Sequence, residues 1–186
     1  MPKTRNAKAK IGTKKLINLA MYALLLKKPY TEISVKEICY RAGVSRMSFY
    51  RYFSAKDDVI IDVCDFQFEN FYEKIKVLKN PTWEDVFLIV FYYFKSCRRE
   101  VALSKRSGLQ YLILNQLNSY MKYIVNNVKS EKIPPIANAN KVAAPFLAGG
   151  FFMILMDWIE RDMEDSPEEL RNLFVDFIEK SLKNTK

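Results

Sequence analysis

Ile33-Ser34-Val35-Lys36-Glu37-Ile38-Cys39-Tyr40-Arg41-Ala42-Gly43-Val44-Ser45-Arg46-Met47-Ser48-Phe49-Tyr50-Arg51-Tyr52-Phe53 encodes two short helices joined by a tight glycine turn. Ser34 with Glu37 is a capping box: the hydroxyl accepts from a first-turn N–H, and the carboxylate reaches back to the N–H of the cap. Val35, Ile38 and Ala42 then share one face, and Gly43 takes the position at which helices commonly stop. Ser45 can cap the second helix. In that helix Phe49 and Phe53, four apart, face inward with Val44, so Arg46, Met47, Ser48, Tyr50 and Arg51 point elsewhere. A polar, basic outer face on a second helix of this kind is what a reader of the DNA major groove needs.

Working outward, Ile17, Ala20, Leu25 and Tyr30 precede this unit, and Lys56 follows it. Together with Ser34, Ile38, Ala42-Gly43-Val44-Ser45, Phe49-Tyr50 and Tyr52-Phe53 they follow a many-position pattern, more specific than any short motif. Over roughly its first third the chain resembles the tetracycline-repressor-like transcription regulators. Two positions depart from the family pattern. Pro29 stands where a glycine commonly ends the first helix, and it ends one equally well by pushing Lys28 out of the α region. Met47 stands where a smaller residue is common, so a known operator sequence does not transfer.

The resemblance implies an all-α homodimer with a three-helix helix-turn-helix head at 1–54 and a helical ligand-binding and dimerisation domain at 55–186. It also implies a ligand-responsive repressor on a palindromic operator. Carried onto this sequence, Arg46, Met47 and Ser48 become the base-contacting residues. The forked Arg46 suits guanine, and the other two suit thymine methyls or base edges. Tyr50, Tyr52 and Lys56 match phosphate-contacting positions, and Thr31, Ser34 and Ser45 lie where helix N-termini meet a DNA backbone. Packing of the Tyr50 and Tyr52 rings between helices is the plainer alternative.

Charge agrees with a polyanion partner at one end. Residues 1–53 hold twelve Lys or Arg against Glu32 and Glu37, a net of +10, whereas the remaining 133 residues net −1. A basic head on a nearly neutral body is an electrostatic footprint for nucleic acid. With 49% hydrophobic residues the chain is not disordered, and its five glycines and seven prolines leave room for long helices. Three scattered cysteines and no histidine argue against disulfides, an ordinary zinc site and the usual general base. An enzyme thus has no signature, and no metal or cofactor is expected apart from a small-molecule effector. The N-terminus lacks the apolar run of a signal peptide, and the apolar stretch 142–156 is shorter than the ~20 residues a membrane helix needs, so a cytoplasmic protein is expected.

Residues 1–10 read as a basic arm, followed by helices over about 11–27, 55–78, 82–94, 98–104 and 109–128, a loop at 129–140, and helices over about 141–163 and 166–182. Ser54 with Asp57 and Thr82 with Asp85 supply caps, and Ser166-Pro167-Glu168-Glu169 opens the last helix. A stripe on these final two helices either closes the core or forms a dimer face. The resemblance favours the dimer face, with Gly150, Leu155, Trp158, Leu170, Phe174 and Phe177 in it and Trp158 as anchor. Among the aromatics of the body, Phe87, Phe91, Tyr111, Phe152 and Met156 are the candidates for an effector pocket. Competing functions are a nonspecific architectural DNA binder, a family member acting as activator and, last, a helical enzyme.

Overall fold

In a computed structural model the described residues are 3–128, 130 and 139–183, with side chains described over 12–128, 130 and 141–177. Among them are nine α-helices and no strand. They are α1 (Lys3–Leu25), α2 (Val35–Ala42), α3 (Arg46–Tyr50), α4 (Lys56–Lys76), α5 (Trp83–Ser96), α6 (Arg98–Arg106), α7 (Gln110–Asn127), α8 (Ala144–Glu160) and α9 (Pro167–Lys183). A 3-10 turn at Tyr30–Glu32 precedes α2, and a π-helical turn at Ala139–Ala143 leads into α8. The loop expected at 129–140 lies mostly outside the described residues. The arm expected over 1–10 is instead helical from Lys3, since Lys, Arg and Ala there are good helix formers and no Gly or Pro intervenes before Gly12.

The chain forms two compact units. One comprises 1–66 with 103–112, and the other 67–102 with 113–186. The division expected at 54/55 differs from this, because the first turns of α4 and the α6–α7 corner group with the head. In the head, α1 packs on α2, and Ile17, Met21, Ile38, Phe49, Phe53 and Val59 are buried. Asp62 of α4 accepts hydrogen bonds from Lys14 and from Asn18 of α1. The α6–α7 corner is tied in by Ser107: its carbonyl accepts from the Tyr30 N–H at 2.9 Å, and its buried hydroxyl approaches the Leu25 carbonyl.

In the second unit α5 packs along α9, and the core is a lattice of rings. Phe87 meets Phe174 edge-on at 4.5 Å, while Phe91 lies 5.3 Å from Phe151 and 5.8 Å from Trp158. Thr82 and Asp85 form a complete capping box on α5, and Ser166 and Glu169 make the same reciprocal bonds at the start of α9. Pro145 sits in the first turn of α8, directly after the π-helical turn. Asp162 and Met163 take left-handed φ of 52° and 57°, which ends α8. The segment 141–160 is a 20-residue helix long and apolar enough to cross a membrane, longer than the stretch 142–156, because the π-helical turn and the end of α8 extend it. Leu147, Phe151, Leu155 and Trp158 of that segment belong to the ring-lined core.

Candidate nucleic-acid interface

Each expected device of the helix-turn-helix is present. Ser34 Oγ accepts from the Glu37 N–H at 3.3 Å, and Glu37 Oε2 accepts from the Ser34 N–H at 3.0 Å. Gly43, at φ 65°, closes α2 by donating to the Cys39 and Tyr40 carbonyls. Ser45 Oγ accepts from the Ser48 N–H at 3.0 Å and lies 2.9 Å from the Ser48 hydroxyl. Phe49 is fully buried and Phe53 nearly so, with their rings 5.6 Å apart. This pair anchors the five-residue α3 and fixes which way its other side chains face.

Those other side chains face water. Arg46, Met47, Tyr50 and Arg51 are exposed, Met47 by 79%, and Ser48 is half-buried. The Arg46 guanidinium lies 5.9 Å over the Tyr50 ring and donates to its hydroxyl at 3.5 Å, which raises its affinity for its proton. Of the expected base contacts, Met47 and Arg46 are exposed, Arg46 held against Tyr50, whereas Ser48 is shared with the cap. Thr31 and Ser34 are exposed beside the start of α2, and Tyr52 is half-buried.

Lys56 stands apart from the other expected phosphate contacts. Its ammonium donates to the Tyr30 carbonyl at 2.8 Å and the Ile33 carbonyl at 2.9 Å, and lies 4.2 Å over the Tyr30 ring. Two of its three N–H bonds therefore hold the 3-10 turn. The Tyr30 hydroxyl donates to Asp57, and burial followed by that bond pushes its pKa up. Asp57 is thus engaged with Tyr30, and the cap of α4 is Asp58, which accepts from the Ser54 and Ala55 N–H groups. Lys28 reaches Glu37 at 2.5 Å; with the Ser34 bonds it holds the Glu37 carboxyl down at about 2. Two further side chains, Tyr40, 90% exposed, and Lys36 one turn before it, lie on the outer face of α2. Their signal is the helical complement of the buried set Ile38, Cys39 and Ala42.

In the other unit, Phe87, Phe91, Phe152 and Met156 come together in the core. Tyr111 does not join them: it is 77% exposed in the first turn of α7 and belongs to the head unit. Among the expected dimer residues, Leu155 and Trp158 are fully buried within their own chain, and the Trp158 indole N–H donates to the Asp165 carbonyl at 3.1 Å. They point into the core and cannot form an outer face. The exposed face of α8 and α9 is instead an apolar groove of about 540 Å³, lined by Phe146, Gly150, Met153, Leu173, Phe174 and Phe177 among others. Leu170 and Phe174, both buried, form its floor. Among the described residues no cluster of acidic or cysteine side chains could hold a metal ion.

Residues 20–63 match the family model "Bacterial regulatory proteins, tetR family", and residues 81–180 match its "Transcriptional regulator C-terminal region". The chain belongs to the tetR family. Solved structures with the same fold include a TetR transcriptional regulator from Streptococcus agalactiae 2603V, 18% identical over 95% of this chain and 98% of that one, with a TM-score of 0.64. The dihydroxyacetone kinase operon activator DhaS is 19% identical over 92% and 96%, at 0.53. The fatty acid degradation regulator FadR from Bacillus halodurans is 19% identical over 87% and 91%, at 0.51. No curated protein matches the chain. Membership in the tetR family makes it a transcriptional regulator with a DNA-binding head and points away from an enzyme.

Proposed function

We propose that the chain is a homodimeric, operator-binding transcriptional regulator of the cytoplasm. The observation that carries this reading is the recognition helix: Phe49 and Phe53 pin α3 from within, while Arg46, Met47 and Tyr50 stand exposed on a head of net charge +10 over residues 1–53. Tyr52, Thr31, Ser34, Ser45 and the third N–H of Lys56 supply the phosphate contacts, with Lys36 and Tyr40 of α2 beside them. Selection of duplexes from random sequence by the purified protein tests the reading. A roughly palindromic site is expected, because a two-fold dimer offers two recognition helices to successive major grooves. A specificity ratio near one against random DNA would favour the nonspecific architectural binder instead.

The α8/α9 groove supports dimerisation: Phe146, Met153, Leu173 and Phe177 are each about two-thirds exposed, an unusual cost for a monomer. An effector is the more exacting part of the proposal. Phe87, Phe91, Phe152 and Met156 are buried in one core, so a small apolar molecule entering among them must part packed side chains. Such a molecule should change DNA affinity, and operator DNA must change its affinity by the same factor. A ligand whose affinity is the same with and without operator is not the effector. Regulators of this fold include one named an activator, so a reporter assay with and without the operator decides whether transcription falls, as for the repressor that the resemblance implies, or rises.

A further inference from the structure

The outer face of α1 is apolar. Ile17, Ala20, Met21 and Leu25 fill the inner face, as an amphipathic helix requires, yet Leu16 is 49% exposed, Leu19 56%, Tyr22 39% and Leu26 60%. The helical hydrogen-bond pattern runs on through Leu26, whose N–H donates to the Tyr22 carbonyl. Leu16, Leu19, partly exposed Ala23 and Leu26 recur at the 3-4-3 spacing of a coiled-coil seam, and Ala23 leaves a recess between larger neighbours. A row of exposed apolar side chains on a helix whose opposite face is already buried marks a surface that a partner covers. None of the four belongs to the helix-turn-helix or to the α8/α9 groove.

Charge decides between occupants. The seam is bordered by exposed Lys15 and Lys27. In an antiparallel pairing of two copies, the two-fold axis that sets Leu16 against Leu26 and Leu19 against Ala23 also sets Lys15 against Lys27, twice. A parallel pairing sets each lysine against itself. Either homotypic arrangement therefore opposes like charges on heads already strongly basic. A seam one residue wide with a notch at Ala23 fits a knob from another helix better than it fits a bilayer surface. We infer that the outer face of α1 docks an acidic amphipathic helix of a partner protein, its apolar spine on Leu16, Leu19, Ala23 and Leu26 and its carboxylates on Lys15 and Lys27. The contact spans about 16 Å of helix, which is the scale of a transient interface.

The test uses full-length protein already bound to duplex DNA, so that the recognition face is occupied. The probe is a fluorescent helical peptide with leucines at 3-4-3 spacing and glutamates flanking them. Its controls are a twin with lysines for glutamates and a scramble of the same composition. Micromolar anisotropy binding of the acidic peptide is expected, at least tenfold weaker for the lysine twin and the scramble. Leu19→Gln and Leu26→Gln should each weaken it at least tenfold while leaving DNA affinity and melting temperature unchanged. Equal binding of the lysine twin, or indifference to both variants, overturns the inference. So does a concentration-dependent rise in sedimentation coefficient that Leu19→Gln abolishes, which would mean a second copy, or Leu19-dependent binding to anionic vesicles, which would mean a membrane. Loss of all DNA binding by the wild type would count against the proposed function and leave the peptide measurement, repeated without DNA, to decide this one.

Discussion

Lys56 shows how one side chain serves two ends. A phosphate contact alone would predict that Lys56→Met weakens binding to every sequence alike and leaves the fold untouched. Because the ammonium holds the Tyr30 and Ile33 carbonyls, the same change should also cost about 1–3 kcal/mol of head stability, read as a lower denaturant midpoint. Arg46→Ala should behave differently, losing about 1–3 kcal/mol of operator affinity and relaxing base choice at one position of the site, with unaltered melting. Glu37 gives a pH signature. Its carboxyl is held at about 2 against an ordinary 4.5, so its stabilising effect is complete above the higher value and is lost as pH falls through the lower one. Melting temperature followed from pH 5 down to 2 should therefore fall less steeply in Glu37→Gln than in wild type. Ser34, Glu37, Gly43 and Ser45 were legible in the sequence because caps and left-handed turns are written by residue type at short range. The two carbonyls under Lys56 were not, since they lie more than twenty positions away in the chain.

Among the elements, α8 teaches most about what a sequence conceals. Its residues are apolar almost all round, so periodicity could not say which stripe faces in, and the family resemblance placed Trp158 as an interface anchor. The rings of Phe91 and Phe151 settle the rotation: Trp158 packs inward, and Gly150 and Met153 turn out toward Leu173 and Phe177 of α9. The two kinds of residue should therefore fail differently. Phe177→Asp and Leu173→Asp place a charge on the groove and should give a folded, fully helical chain that sediments as a monomer. Trp158→Ala leaves a hole in the ring lattice and should cost about 3–5 kcal/mol in stability, whatever the oligomeric state. If both groove variants remain dimers, the dimer interface lies elsewhere. Tyr111 was misjudged for a related reason: aromatic composition favours burial, but the first turn of α7 lies on the surface of the head.

At the scale of the whole molecule, all-helical architecture and a basic end were readable from charge and pattern, whereas the return of residues 103–112 to the head was not, because contacts between distant segments leave no local trace. That return has a biosynthetic consequence. Ser107, the buried polar residue that receives the Tyr30 N–H, is made long after the helix-turn-helix it completes. A fragment ending at residue 66 should accordingly melt at lower temperature than the head within the full chain. On the ribosome, the 46 residues from 67 to 112 take about 2–9 seconds to add at bacterial elongation rates. During that interval the emerging head lacks the corner that holds Tyr30 and Leu25, so it should open more readily than the head of the finished chain until more than half of the chain has been made.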